Sequence, residues 1–190
     1  MSSPPALVHG LLVAARTDMS CSYGRLTSMS IVAGTGHRPD RLGNEYSLDG
    51  PVSTHIREHI RRHLAATQPE KIISGMALGF DTIFALTALD MKIPVLAAIP
   101  FKGQESMWPE ASQCLYREIL SNPLVESWIC APGSFNKFKM QNRNRLMCDK
   151  ATELLVCWWG RPGGTYNTVL YAREIGLPIT YIPNFTSIQL

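Results

Sequence analysis

No window of the sequence approaches about 18 uninterrupted apolar residues, so no segment reads as a membrane span. A cysteine framework is missing as well. The five cysteines, at positions 21, 114, 130, 148 and 157, include no Cys-x-x-Cys pair. Such an odd, scattered set lacks the pattern of a disulfide scaffold or a zinc site. It predicts reduced thiols in a cytoplasm, packed as small apolar side chains, with no metal and no cofactor. Charge of one sign is also scarce. The 18 Lys and Arg against 15 Asp and Glu leave a formal +3, too small for a dedicated nucleic-acid binder. Nucleic acid is therefore not expected as a partner. There is no internal repeat and no low-complexity segment.

The first residues lack a proper signal-peptide pattern. Residues 7–15 form a short apolar run, but only His9 and Arg16 supply positive charge around it. Met19 and Met29 offer later starts. Residues 1–28 read as a flexible extension or an upstream start, and residues 29–190 as a single domain. What is present there is ordinary globular chemistry, 45% apolar and 17% charged, with enough chain for a core.

Short apolar runs alternate with helical patterns from residue 30 onward. Strands are predicted over 30–33, 71–74, 94–99, 124–128, 153–158 and 179–182. Helices are predicted over 51–66, 80–91, 105–120, 140–151 and 165–175. In the first helix Ser53 or Thr54 is the expected N-cap, and Ile56, Ile60 and Leu64 form an apolar stripe. Leu154-Leu155-Val156 is apolar without alternation, as in a strand covered on both faces. The order calls for an α/β fold, a Rossmann-like three-layer sandwich with a mostly parallel sheet. In such folds ligands sit beyond the carboxyl ends of the strands.

Three glycine-bearing polar clusters fall at those ends. The first is Gly34-Thr35-Gly36-His37-Arg38-Pro39. Its glycines let a ligand approach the backbone, Thr35 offers a hydroxyl, and Arg38 offers a planar fork for phosphate or carboxylate. A structural turn accounts for the same residues. The second runs from Ser74, Gly75 and Met76 to Gly79 and Asp81, where a helix begins. Helix N-termini suit phosphate, and Asp81 is either a cap or a group for ribose hydroxyls or general-base work. The third is Gly160-Arg161-Pro162-Gly163-Gly164-Thr165-Tyr166-Asn167, again between strand and helix. There Gly163, Gly164 and Thr165 suit a phosphate, and Asn167 a ribose or base. Together the clusters point to a nucleotide-derived small molecule, a mononucleotide or an ADP-ribose-like ligand.

At these residues the sequence resembles the SLOG superfamily, which takes in YpsA-like proteins, LOG phosphoribohydrolases and DprA/Smf proteins. Gly34 to Pro39, Ser74 to Asp81 with Ile99-Pro100-Phe101 and Trp108, and Arg143 through Asn167 follow the YpsA-like order. The resemblance implies the Rossmann-like fold and a homodimer. The LOG enzymes imply a chemistry, release of a base from a nucleoside 5'-monophosphate by an Arg and a Glu. Met140-Gln141-Asn142-Arg143-Asn144-Arg145-Leu146-Met147 reproduces their Met-x-x-Arg-x-x-x-Met, which makes Arg143 the site arginine and leaves Arg145 a solvated charge. Their glutamate is missing. It falls on Leu170 or Thr168, depending on which glycine is aligned. Glycosidic cleavage needs a carboxylate, and spacing does not choose among Asp81, Glu105 and Asp149. The catalytic candidates are thus Arg143, Asp81 and Glu105, and binding or sensing is expected ahead of catalysis. N-glycosidase activity and DprA-like single-stranded DNA binding are the alternatives.

His55-Ile56-Arg57-Glu58-His59, with His63, matches a zinc-ligand spacing. It lies on a crossover helix with no downstream acidic partner, and a charged face beside the core stripe explains it. Trp128, Trp158 and Trp159 end strands, where packing is the default and stacking on a base the alternative.

Overall fold

A computed structural model describes residues 29–133 and 135–184. The expectations placed on residues 1–28 lie outside the described residues. The strands are β1 (Ile31–Gly36), β2 (Lys71–Ser74), β3 (Val95–Ile99), β4 (Val125–Ile129), β5 (Glu153–Cys157) and β6 (Ile179–Tyr181). The helices are α1 (Pro51–Thr67), α2 (Phe80–Asp90), α3 (Glu110–Ser121), α4 (Lys137–Lys150) and α5 (Gly164–Glu174), with a short 3-10 turn at Pro39–Arg41.

The sheet runs β4-β3-β2-β1-β5-β6 with every neighbouring pair parallel. Parallel neighbours need crossovers, and the five helices supply them on both faces. Successive strand residues point to opposite faces, so apolar strands feed two cores. Val32, Ile72 and Leu155 join Ile56, Ile60, Leu64, Phe80, Phe84 and Ile119 under α1 to α3. Ala33, Ile73, Leu154 and Val156 join Met147, Val169 and Ala172 under α4 and α5. The expected Rossmann-like sandwich is the fold observed. Among the described residues, no helix is long and apolar enough to cross a membrane.

Several boundaries differ from expectation for local reasons. β1 continues through Gly34, Thr35 and Gly36 instead of breaking at residue 34. A Cβ on Gly34 would lie 2.4 Å from Phe84 Cδ1, and one on Gly36 2.4 Å from Phe80 Cγ. These glycines let α2 close onto the strand. α1 is not capped by Ser53 or Thr54. Gly50 is its N-cap and Pro51 its first residue, and the Glu45 carboxylate accepts from Ser53 N at 2.6 Å and Val52 N at 3.3 Å. α3 starts five residues late, at Glu110, because residues 101–108 form turns. α4 starts early, at Lys137, because Asn136 caps it by accepting from Phe138 N at 2.7 Å. Cys148 and Cys157 are buried, whereas Cys114 is exposed and so is not the packed thiol expected.

Candidate functional site

From β1 the chain builds outward on one side through β2, β3 and β4, then returns to lay β5 on the other side of β1. The crossovers therefore diverge between β1 and β5, which leaves a crevice at their carboxyl ends. His37 ties its two walls together. Its N–H donates to Cys157 O at 3.0 Å, its O accepts from Phe80 N at 3.1 Å, and its Nε2 accepts from Trp159 N at 3.2 Å. An accepting Nε2 leaves the ring proton on Nδ1, so the imidazole is neutral. Burial, then Arg41, lower its pKa from 6.5 to about 4, against an opposing pull from Asp40.

The crevice opens into a cleft of about 210 Å³. One wall comes from Gly36, His37 and Arg38 with Asp40 and Arg41; the other from Arg161, Gly163, Gly164 and Thr165 with Trp158. Thr165 Oγ1 donates to Gly36 O at 3.0 Å and Arg41 Nη1 to Pro162 O at 3.1 Å, fixing the walls to each other. A second lobe of about 340 Å³ shares His37, Asp40, Arg41 and Arg161, and adds Gly43, Trp159 and Asn184.

α5 begins in the first lobe. Gly163 is its N-cap at φ 153°, and the described residues provide neither a side-chain cap bond nor an acid in its first turn. Its first amides point outward with the positive end of the helix dipole. A Cβ on Gly164 would meet nothing within 4 Å, so packing does not require that glycine. Arg38, Arg41 and Arg161 add three cations, and Asp40 is the carboxylate on the wall. Such an arrangement has the chemistry to hold an anion.

The second cluster stands apart as a buried hub. Ser74 Oγ donates to Asp81 O at 2.8 Å and accepts from Met76 N at 3.1 Å, and Ala77 N donates to Asp81 Oδ2 at 3.3 Å. Arg143, 3% exposed, donates from Nη1 to Gly75 O and to Ala98 O, and from Nε to Asn144 Oδ1. A Cβ on Gly75 would lie 2.1 Å from that Nη1, so the glycine makes room for the guanidinium. Burial raises the Asp81 pKa, and the Arg143 charge opposes the rise. Gly79, at φ 87°, presses against His37 O and joins this hub to the cleft floor.

The structure thus gathers Gly36, His37, Arg38, Gly163, Gly164 and Thr165 at one cleft. Gly34 and Thr35 are buried in β1. Ser74, Gly75, Met76, Asp81 and Arg143 belong to the hub, and exposed Asn167 bonds Gln141 Oε1 at 3.3 Å. Glu105 is half-buried, with Oε2 enclosed and no hydrogen-bond partner among the described residues. Asp149 accepts from Tyr171 OH at 2.6 Å. Thr168 Oγ1 donates to Gly164 O, Leu170 is exposed, and Arg145 lies over the Tyr171 ring. The histidines of α1 face Pro183 O, His55 O and Glu153. Asp40 and Arg41 line the cleft without having been singled out, Arg161 having been named only within the third cluster and Trp158 only as an alternative stacking surface. A signal for Arg41 was present. Proline favours the first position of a helical turn, and the 3-10 turn Pro39–Arg41, directly after the Arg38 N-cap, ends on Arg41.

The family model for DNA recombination-mediator protein A matches residues 51–189. The uncharacterized SPbeta prophage-derived protein YoqJ of Bacillus subtilis is 28% identical over 119 residues, 55% of this chain and 70% of that one. The fold is that of DNA processing protein A from Streptococcus pneumoniae, with TM-score 0.61 and 24% identity over 84% of this chain. This chain spans about half of that protein, 52%. DNA processing protein A from Helicobacter pylori, which has a single-stranded DNA binding mode, superposes with TM-score 0.59 and 21% identity, over 84% of this chain and 67% of that one. TM1055 gives 0.52 at 17% identity, over 80% and 72%. These findings correct the expectation that nucleic acid is no partner of such a chain. A formal charge summed over the whole sequence hides three arginines concentrated at one cleft. On its fold and on the match over residues 51–189, the chain belongs to the DNA recombination-mediator protein A family, within the SLOG superfamily.

Proposed function

We propose that the cleft between β1 and β5 binds the phosphate of a nucleotide or nucleotide-derived ligand. The observation that carries this reading is the convergence of the α5 N-terminus with Arg38, Arg41 and Arg161 on one crevice. Helix amides and guanidinium forks both favour tetrahedral oxyanions, and charge-assisted hydrogen bonds contribute roughly 1.5–3 kcal/mol each. Titration calorimetry with nucleoside mono- and diphosphates and ADP-ribose tests it, using wild type and Arg161→Ala. At least one ligand should bind, and the variant should weaken it by about tenfold or more. Silence across the panel at millimolar concentration sinks the reading.

A second reading, a single-stranded DNA contact, is favoured by the family and by one local arrangement. Trp158 stacks on Tyr166 with ring centroids 5.6 Å apart, next to Arg161. Aromatic faces beside cations suit unpaired bases on a charged backbone. Oligonucleotide anisotropy at several salt concentrations decides it. A strand bound here loses affinity as salt rises, with a slope of about 0.7 per phosphate engaged, whereas absence of binding at low salt ends this reading.

A further inference from the structure

The sheet ends in two edge strands, β4 and β6, and they are protected unequally. β6 has three residues, with Pro178 directly before it and Pro183 shortly after it. Short length and flanking proline blunt an edge against further pairing. β4 has five residues, Val-Glu-Ser-Trp-Ile, with no proline, lysine or glycine among them. Its last residue, Ile129, is 49% exposed.

The ladder to β3 fixes which groups that edge offers. Leu124 O accepts from Val95 N at 2.9 Å, and Cys130 N donates to Ile99 O at 2.7 Å. Bonding residues alternate along a parallel strand, so Glu126 and Trp128 also turn their main-chain groups toward β3. Ser127 and Ile129 turn theirs outward, as does the Val125 carbonyl. Side chains alternate between the faces too. Glu126 and Trp128 line one groove with Lys150, whose Nζ lies 5.4 Å from the Trp128 ring centre. Glu126 is exposed and forms no ion pair among the described residues.

Such an edge is complementary to itself. Two β4 strands laid antiparallel across a twofold axis at Ser127 exchange both main-chain bonds between the serines. Ile129 then faces the partner's Val125 on one side of the sheet. On the other side Glu126 lies directly opposite the partner's Trp128, beside the ammonium held over that ring. Centring the axis on Glu126 instead sets carboxylate against carboxylate. Centring it on Trp128 brings two Lys150 ammonium groups together.

We propose that the β4 edge binds a second copy of this chain, antiparallel about Ser127, with Glu126 of each copy against Lys150 of the other. The resemblance to the SLOG superfamily implies a pair without saying which surface makes it. Joined in this way, two six-stranded sheets become one. The clefts lie beyond β2 and β3 in each copy and open in opposite directions.

Sedimentation velocity on the full chain, over a range of concentrations, tests the assignment. Wild type should form a dimer. Glu126→Lys and Lys150→Glu should each weaken it by about tenfold or more, because both symmetric contacts turn repulsive. The two changes combined exchange the charges and should restore the dimer. Both side chains are exposed, so these variants should fold as wild type does. Ser127→Pro removes an outward amide, spares the ladder to β3, and should also separate the pair. A wild type that stays monomeric at high micromolar concentration overturns the proposal. So does a dimer that the single charge reversals leave intact, or one that the double change fails to restore.

Discussion

Gly36 and Gly164 both line the cleft, and they are glycines for opposite reasons. Gly36 faces the buried Phe80 ring, and an added methyl group would overlap it. Gly36→Ala should lower stability by about 1–3 kcal/mol without any ligand, read as a drop in the denaturant midpoint. Gly164 has open space around its missing Cβ, in the first turn of α5. Gly164→Ala should keep or slightly raise the midpoint, by up to about 1 kcal/mol, and weaken nucleotide binding. Equal stability losses at the two positions would refute this division. His37 supplies a pH dependence. Its pKa is 6.5 in the unfolded chain and about 4 when folded. Between those values the unfolded chain takes up a proton that the folded one refuses. Stability is therefore complete above pH 6.5, declines as pH falls, and levels off below about 4. The loss should reach roughly 2 kcal/mol after allowance for solvent screening at the cleft. Denaturant midpoints of wild type and His37→Gln from pH 4 to 7.5 should converge on the acid side. Parallel curves would show that the ring does not control acid stability.

At the scale of elements, α1 is placed by a contact at its start as much as by its buried stripe. Ile56, Ile60 and Leu64 are 0–1% exposed and contribute roughly 1.5–3 kcal/mol apiece to docking α1. Its start is set from outside, by Glu45. That carboxylate satisfies two first-turn amides and neutralises the positive end of the helix, while Ser53 Oγ bonds Ser47 O at 2.8 Å. Glu45→Ala should cost about 1 kcal/mol and speed amide exchange at Val52 and Ser53 specifically. Unchanged exchange there would mean that the cap is dispensable. α5 has the contrary arrangement. Its first turn is left without a protein cap among the described residues and opens onto arginines. One helix end is closed by the protein, and the other opens onto the cleft.

At the scale of the molecule, the position of the cleft follows from strand order. Building β2, β3 and β4 on one side of β1 and β5 and β6 on the other separates the crossovers at a single place. The first and third glycine clusters follow the strands that flank it, and so they meet. The second follows β2, one strand removed. Arg143 and Asp81 there form a buried hub at the carboxyl ends of β2 and β3, where Arg143 also engages Ala98 O. The same topology turns a weak overall charge into a strong local one, because Arg38, Arg41 and Arg161 come from segments more than a hundred residues apart.

The sequence by itself determined the alternation of strand and helix and the buried stripe of α1, because period and apolar runs are local properties. It also marked the strand ends that carry glycine. It left open which strand lies beside which, and therefore which clusters share a site. Gly34 and Gly36 read as a ligand loop in the sequence, but both lie in β1 against the α2 phenylalanines, and only Gly36 also lines the cleft. Ser53 has the residue type of a cap, yet the first-turn amides of α1 are satisfied by Glu45, eight residues earlier. Asp40 carried no motif, and its position between two lobes exists only once β5 is laid beside β1. Those assignments depend on atoms distant in the chain, whose approach is decided by the packing of both sheet faces together.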